Sequence, residues 1–235
     1  MSIEQIPSKI ERVLTISAHP DDTEFFAGRT VAQLADNGAE VTLVVCTNGA
    51  KGGRNIKNVV TTRQREQGEA AGVLGINNVI SLGYEDGELE ASETLRNRLI
   101  EIIREIRPEI IFVHHPQTFY KFYGRTAYLG HSDHRAAGKS LMEAVYPRSG
   151  SPNFFPELGQ PWSPGEIWLF DCETPNHRVD IGAAMDQKIA ALSAHVSQQG
   201  VGAGLADAAR RLGYYLGSDT QPAEVFVRLP LSGGG

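Results

Sequence analysis

Short apolar runs rich in β-branched residues alternate with longer amphipathic stretches along this chain of 235 residues. The apolar runs are typical of buried strands, and the amphipathic stretches have the spacing of helices that cover a sheet. We predict strands over residues 12–17, 41–47, 78–82, 109–114 and 166–171, and helices over residues 23–37, 60–74, 92–106, 134–145 and 183–195. This alternation indicates a parallel sheet with helices on both faces.

Two long segments, residues 116–130 and 147–165, interrupt the alternation and are rich in proline, glycine and aromatic residues. Loops of this length are usually functional or disordered, and the aromatic content argues against disorder. Two alternatives remain, a small apolar core beneath the loops or the rim of a substrate pocket. Further along, we predict a connector over residues 201–207, a helix over residues 208–216 and a last strand over residues 224–229.

The whole pattern predicts an α/β fold, a Rossmann-like three-layer sandwich with a mostly parallel sheet. We expect one domain over residues 1–235, with residues 1–10 and 232–235 flexible. Open parallel sheets bind ligands beyond the carboxyl ends of their strands, near the switch in strand order. His19, Asn48 and the pair His114-His115 fall at the carboxyl ends of predicted strands. This edge of the sheet should therefore carry the chemistry.

Charge and composition restrict the partners. The net charge is −6, with acidic and basic residues interspersed, which argues against nucleic acid and a charged membrane surface and favours a small-molecule substrate. No apolar run approaches the ~18 residues of a membrane span, and the polar start of the chain does not resemble a secretory signal, so we expect a cytoplasmic protein. Cys46 and Cys172 lie in apolar runs and are expected to be buried free thiols. A homo-oligomer is compatible with these features.

An imidazole and three carboxylates follow the first predicted strand in His19-Pro20-Asp21-Asp22-Thr23-Glu24. Adjacent aspartates repel each other in a dry pocket unless a cation or a proton offsets them. Capping of the following helix explains the acidic residues but not the histidine. The cluster therefore indicates a metal site.

A second cluster, His131-Ser132-Asp133-His134, precedes another predicted helix. Catalytic zinc takes three protein ligands and keeps a position open, and two histidines with one carboxylate are a standard set. His19, Asp22 and one histidine of the second cluster supply that set. Asp133 is also a candidate for the N-cap of the helix that follows.

Together, Ala18-His19-Pro20-Asp21-Asp22-x-Glu24 and Gly130-His131-x-Asp133-His134 resemble the motifs of the PIG-L/LmbE family of zinc-dependent N-deacetylases, which includes the deacetylases of mycothiol and bacillithiol biosynthesis. Thr47-Asn48-Gly49, Arg63-x-x-Glu66 and Lys188-x-x-Ala191-x-x-x-His195-x-Ser197-Gln198 extend the resemblance over about residues 11–200. Ser132 replaces a proline common in the second motif, and Arg29 replaces a glycine, which puts a long basic group on the first helix near the expected site.

The resemblance implies one Zn²⁺ per chain, or another divalent metal in its place, held by His19, Asp22 and His134. It implies that Asp21 is the general base for the attacking water. His131 would face the oxyanion and the leaving nitrogen, with Asp133 orienting it and keeping it charged.

Arg63 and His195 are the substrate-binding candidates. Alternatively, Arg63 supports the loop that carries Asp21 or pairs with a glutamate on a helix surface, and His195 is structural. His114 and His115 are spare ligand candidates, and His177 is expected on a surface loop. The basic, glycine-rich residues 49–54 either close over a substrate or form a mobile turn.

Together, these expectations predict a metal-dependent hydrolase that removes an N-acyl group from an amino-sugar conjugate. Acetyl is the first candidate for that group. One alternative is a zinc amidase acting on a non-sugar amide or an S-conjugate. Another is a non-hydrolytic nucleotide-binding α/β protein. The last alternative is disfavoured because the first turn lacks Gly-x-Gly-x-x-Gly and carries acidic residues that would repel a pyrophosphate.

Overall fold

A central sheet of seven strands organises the chain in the computed structural model, which describes residues 6–54, 56–199, 204–218 and 220–232. The strands are β1 (Arg12–Ser17), β2 (Glu40–Thr47), β3 (Asn78–Tyr84), β4 (Ile110–His114), β5 (Tyr120–Tyr123), β6 (Thr126–Leu129), β7 (Glu166–Phe170), β8 (His177–Asp180) and β9 (Ala223–Pro230). The helices are α1 (Asp22–Asp36), α2 (Val59–Val73), α3 (Glu93–Ile106), α4 (Ser132–Glu143), α5 (Met185–Ala194) and α6 (Leu205–Leu216).

The strand order of the large sheet is β3-β2-β1-β4-β7-β9-β8. Strands β1, β2, β3, β4 and β7 pair in parallel, whereas β9 runs antiparallel to both of its neighbours. The switch in strand order lies between β1 and β4, where an open sheet leaves a crevice at its carboxyl edge. The predicted α/β fold class is confirmed, and the crevice lies directly after Ser17 and His114.

Apolar residues cover both faces of the sheet, which explains the near-continuous apolar strands. Neighbouring residues of β1 point to opposite faces, so Val13 belongs to one core cluster and Leu14 to the other. The first cluster includes Val31 of α1, and the second includes Leu99 of α3. Cys46 and Cys172 are buried and free, as predicted. No helix in the described part of the chain is long and apolar enough to cross a membrane.

The two segments predicted as long loops differ in structure. The first contains the β5–β6 hairpin, in which Tyr120 pairs with Leu129. The second stays largely irregular, and the guanidinium of Arg104 donates hydrogen bonds to backbone carbonyls along it, including those of Ser149 and Phe154. Trp162 of this segment packs against the second core cluster. The second segment therefore extends the second core cluster, which is closer to the apolar-core alternative than to a pocket rim.

The prediction that His177 lies on a surface loop is wrong. His177 lies on β8, is 1% exposed and packs edge-on against Trp168 at a centroid distance of 4.5 Å. Strand β8 is short and partly polar, and its burial depends on β9, which follows far along the chain. Parts of two other predictions lie outside the described residues, namely the connector at 201–203 and the flexible ends at 1–5 and 233–235.

A buried carboxylate ties β9 to α1. Glu224 of β9 accepts hydrogen bonds from the backbone N–H of Arg29 and from the backbone N–H and hydroxyl of Thr30. The ammonium of Lys188 lies 2.6 Å from the same carboxylate. Both charged partners are almost fully buried, so each compensates the desolvation of the other.

Candidate active site and metal centre

The turn between β1 and α1 brings the first predicted cluster to the crevice. Asp21 has a φ of 96°, a left-handed conformation that aspartate tolerates better than most residues. The backbone N–H of His19 donates a hydrogen bond of 2.7 Å to Oδ2 of Asp22, and the N–H of Thr23 donates to the hydroxyl of Ser17. The side chain of Asp22 is thereby folded back toward His19 at the start of α1.

His134, on the first turn of α4, reaches the same place from the other side of the crevice. Nδ1 of His19 lies 3.6 Å from Oδ2 of Asp22, and Nε2 of His134 lies 3.3 Å from Oδ1 of Asp22. The three groups can offer ligand atoms that lie within 4.8 Å of one another. Ligands about 2.0–2.1 Å from a tetrahedral zinc ion are about 3.3–3.4 Å apart. The described donor set therefore fits one divalent cation.

Carboxylates hold the far nitrogens of both imidazoles. Nε2 of His19 lies 3.1 Å from Asp133 and 3.3 Å from Asp86, and Nδ1 of His134 lies 3.0 Å from Asp171. Such contacts fix the tautomer and the ring orientation of a metal-binding histidine. They leave Nδ1 of His19 and Nε2 of His134 facing Asp22, as a shared metal ion requires.

The electrostatics of this group suit a cation. Burial would lower the pKa of His19, but hydrogen bonds to Asp133, Asp22 and Asp86 raise it to about 12. Burial likewise opposes protonation of His134, yet Asp22 and Asp171 raise its pKa to about 9. The surrounding carboxylates thus demand positive charge at this point, and a metal ion supplies it without a proton on either ring.

The sequence interpretation missed Asp86 and Asp171 as partners of the two histidines. Asp86 follows β3 and Asp171 follows β7, so both lie at the carboxyl edge that the strand pattern had already indicated. Neither stands in a recognisable motif. A search for acidic residues at the last position of each predicted strand or within four residues after it would have found them.

His114, a spare ligand candidate, lies behind Asp22. Its ring is fully buried, its Nε2 lies 3.0 Å from Oδ2 of Asp22, and it stacks on His134 with a centroid distance of 3.8 Å. This position orients the Asp22 carboxylate. His115, the other candidate, lies beside Thr118, whose hydroxyl is 3.2 Å from its Nδ1.

Arg63 holds the loop of Asp21 rather than a helix surface. Its buried guanidinium donates to the carbonyls of Gly49 and Pro20 and to Oδ2 of Asp21 at 3.0 Å. No hydrogen bond within the described residues engages Oδ1 of Asp21. Burial raises the pKa of Asp21 to about 6, although the positive charge of Arg63 opposes the shift.

Asp133 has a different partner from the one expected. Its carboxylate lies closer to His19 than to Nδ1 of His131, which is 3.8 Å away, and it also accepts from the N–H groups of Gly87 and Leu89. Nδ1 of His131 accepts instead from the backbone N–H of Asp133. Partial burial lowers the pKa of His131. The structure therefore favours a neutral His131 with its proton on Nε2, not an imidazolium held by Asp133.

His195, at the end of α5, lies beneath the site. It is fully buried, and its Nε2 is 3.8 Å from Oε2 of Glu24. Glu24 is also fully buried and accepts a hydrogen bond from Gln67, whose own side-chain oxygen accepts from the N–H of Asp21. This buried position corresponds to the alternative in which His195 is structural rather than substrate-binding.

Two further expectations concern basic residues. Arg29 points away from the site, because its guanidinium contacts Asp36 and Gln187. In the glycine-rich residues 49–54, Gly49 and Gly52 lie against the guanidinium of Arg63, whereas Lys51 and Arg54 are exposed. A Cβ at Gly52 would lie 2.2 Å from Nη1 of Arg63, so a larger residue there would displace the guanidinium that contacts Asp21.

A cavity of about 550 Å³ opens beside the candidate metal centre. We call the candidate metal centre and the residues that support it the metal end, and three residues of this group, His131, His134 and Asp171, line the cavity. A second part of the wall, which we call the outer wall, consists of Tyr123 and Tyr128 from the hairpin and Arg211, Leu212 and Tyr215 from α6. The volume lies in the usual range for sites that bind a small organic molecule.

Comparison with known proteins identifies relatives of this chain. Diacetylchitobiose deacetylase from Thermococcus kodakarensis is 31% identical over 197 residues, which cover 80% of this chain and 70% of that protein. 1D-myo-inositol 2-acetamido-2-deoxy-alpha-D-glucopyranoside deacetylase from Streptomyces scabiei is 29% identical over 186 residues, with coverages of 67% and 54%.

The solved structure of N,N'-diacetylchitobiose deacetylase from Pyrococcus horikoshii, in complex with an inhibitor, has a TM-score of 0.84 and 29% identity, and the match covers 94% of this chain and 84% of that one. The family described as GlcNAc-PI de-N-acetylase, PIG-L, matches residues 14–145, which include both motifs. The chain therefore belongs to the PIG-L family.

Proposed function

We propose that this chain is a zinc-dependent N-deacetylase that removes the acetyl group from the 2-acetamido nitrogen of an N-acetylglucosamine conjugate. The observation that carries the proposal is the grouping of His19, Asp22 and His134 beside the cavity, with the far nitrogen of each imidazole held by a carboxylate. Two histidines and one carboxylate leave a coordination position open for catalysis.

When bound, zinc would lower the pKa of a water molecule and polarise the amide carbonyl. Asp21 is suited to take the proton of the attacking water, since Arg63 occupies only its Oδ2. As the water oxygen bonds to the carbonyl carbon and the C–N bond breaks, Asp21 returns that proton to the leaving nitrogen. The products are a free amine and acetic acid, and the proton of the acid passes to the amine or to solvent to leave acetate.

His131 supports the same step in a different way. A neutral ring whose Nδ1 accepts a backbone hydrogen bond carries its proton on Nε2. That N–H can donate to the oxyanion that develops on the carbonyl oxygen. Asp133 and Asp171 act through the histidines that they orient, and Arg63 acts by holding Asp21.

The substrate class rests on the family and on the cavity. The Thermococcus and Streptomyces relatives are named for substrates that share an N-acetylated glucosamine unit and differ in what is attached to it. The outer wall carries tyrosine rings, and aromatic rings pack well against the apolar faces of sugars. We therefore assign the acetamido sugar to the metal end and its attached group to the outer wall.

The test is amine release by the purified chain, stripped with a chelator and then reloaded with Zn²⁺. The substrates are N,N'-diacetylchitobiose, a methyl N-acetylglucosaminide and, as non-sugar amides, N-acetylated amino acids. We expect zinc-dependent release from the sugars and little from the amino acids. Release from the amino acids alone would overturn the substrate class, and no release from any amide would overturn the hydrolase.

A matched pair of variants on α1 separates the site from the helix. Asp22→Asn changes a candidate ligand, whereas Asp36→Asn changes an exposed carboxylate at the other end of the same helix. We expect the first variant to lose zinc-dependent amine release and the second to retain it. Equal activity in the two variants would remove Asp22 from the metal centre.

A further inference from the structure

The peptide group between Pro20 and Asp21 is held at both ends by side chains of α2. Its carbonyl oxygen accepts a hydrogen bond of 2.6 Å from Nη2 of Arg63, and its N–H donates one of 3.1 Å to Oε1 of Gln67. Arg63 and Gln67 are four residues apart on one face of the helix, and both are buried. One helix therefore fixes the orientation of this peptide plane.

The orientation of the plane determines the backbone conformation of Asp21. The angle φ describes rotation about the N–Cα bond, so a rotation of the preceding peptide group changes φ of Asp21. Its value of 96° lies in a region that residues other than glycine seldom occupy, and such a conformation persists only where the surroundings enforce it. Release of the N–H would let the peptide group rotate and would displace the Asp21 carboxylate.

Glu24 determines which way the amide of Gln67 faces. Oε1 of the buried Glu24 accepts a hydrogen bond of 2.6 Å from Nε2 of Gln67. An ionised carboxylate only accepts hydrogen bonds, and the backbone N–H of Asp21 only donates them, so the residue between them must supply both a donor and an acceptor. Glutamine meets this requirement. Glutamate at the same position would face the Glu24 carboxylate, and methionine would leave both groups unpaired.

We infer that Gln67, oriented by Glu24, is a positioning residue for the general base: it holds the N–H of Asp21 and thereby keeps the Asp21 carboxylate in the geometry that proton transfer requires. The inference rests on the proposed deacetylase function, in which Asp21 takes the proton of the attacking water. Gln67 acts through Asp21 and not on the substrate. Loss of its contact should therefore lower kcat with little change in KM or in zinc content.

The first test exchanges the two side chains, with methyl N-acetylglucosaminide as the substrate. Gln67→Glu should lower kcat by about tenfold to 10²-fold, because two carboxylates then face each other. Glu24→Gln combined with Gln67→Glu restores one amide and one carboxylate, and the carboxylate at position 67 can again accept from the N–H of Asp21. We expect this double variant to recover most of the lost kcat. Gln64→Glu, at an exposed residue of the same helix, is the matched control and should keep the kcat of the unmodified chain.

The second test asks whether Gln67 acts through Asp21. Gln67→Met keeps the length of the side chain but removes both polar groups, and it should lower kcat by a factor similar to that of Gln67→Glu. In an Asp21→Asn background the same change should cause no further loss, because residue 21 no longer accepts the proton. Rates are taken per folded, zinc-loaded molecule, with folding followed by circular dichroism and zinc by elemental analysis. The methionine variant adds no charge, so this test stands even where the glutamate variant fails to fold.

An unchanged kcat in Gln67→Met would overturn the inference while leaving the deacetylase function intact. A loss in the Asp21→Asn background as large as that in the unmodified background would also overturn it and make Gln67 a purely structural residue. So would an exchanged double variant that folds and binds zinc but recovers no activity. No amine release by the unmodified chain would instead count against the proposed function itself.

Discussion

The metal end and the outer wall of the cavity are built in opposite ways. At the metal end, Asp22 is 5% exposed and Asp133 is fully buried, and their carboxylates are engaged by histidine rings and backbone N–H groups. On the outer wall, Tyr128 is 49% exposed and Tyr215 is 56% exposed. A buried polar network tolerates little change because an unpaired member is costly, whereas exposed rings can be exchanged cheaply. Chemistry and selectivity can therefore change separately.

The secondary-structure elements that carry the two regions also differ. The metal end is assembled from the carboxyl ends of β1, β3, β4 and β7 and from the start of α4, all fixed by the large sheet. The outer wall combines a separate two-stranded hairpin with α6, and a two-stranded hairpin is marginal by itself. Substitutions at the metal end should thus abolish the reaction, and those on the outer wall should alter which substrate is used.

The largest expected effect is that of His134→Ala. This change removes one of the candidate ligands, so bound zinc and amine release should both fall to background while the sheet retains its core. Elemental analysis of the purified protein measures the bound zinc, and circular dichroism shows whether the fold is retained. Lys139→Ala, an exposed change on the same helix, is the control. Insoluble His134→Ala protein with a soluble control would favour a structural role.

His131→Ala should lower kcat by about 10²–10³-fold with a smaller change in KM, because the lost N–H stabilises charge that develops mainly in the transition state. Steady-state kinetics with a fixed sugar substrate measure this split, and zinc content should stay unchanged. A rise in KM at constant kcat would instead make His131 a ground-state binding residue.

Asp21→Asn should lower kcat on the order of 10²-fold while zinc stays bound, since the amide keeps the shape but cannot accept the proton of water. Single-turnover rates and metal content test both parts. Unchanged turnover would assign the general base to another group.

Asp86→Asn should weaken zinc binding by about tenfold, because the carboxylate supports His19 from the side away from Asp22. Competition with a chelating dye measures the affinity. Glu85→Gln, at the preceding and more exposed residue, should leave it unchanged. Equal affinities in the two variants would show that Asp133 alone supports His19.

The smallest effect is expected for Tyr215→Phe, which removes only the hydrogen bond to Gly124. A hydrogen bond of this kind contributes about 1 kcal/mol. We expect KM for extended conjugates to rise several-fold and zinc affinity to remain constant. A fall in zinc affinity would show that the two regions are coupled after all.

The sequence was sufficient where local signals determine structure. The resemblance to the PIG-L/LmbE family implied His134 as the third ligand. The convergence of His19 and Asp22 with the second cluster could be predicted from the parallel sheet, because the first motif follows a patterned strand and the second precedes a patterned helix. The partner of Asp133 could not, because it depends on the turn at Gly87, which lies 46 residues away. The hairpin was missed for another reason. Its polar Lys121 is buried while Phe122 is exposed, the reverse of the usual alternation.

The position of β9 also has a consequence for the order of events during synthesis. This strand is the last in the described chain, yet it lies between β7 and β8 and is the only sheet neighbour of β8 there. Chains emerge from the ribosome with their N-terminal segments free to fold first. The four strands β1 to β4 can associate early, but Glu224 arrives only with β9, and it is Glu224 that binds the backbone of α1. Helix α1, which carries Asp22, therefore gains its hydrogen bonds to Glu224 only when nearly all of the described chain has been made.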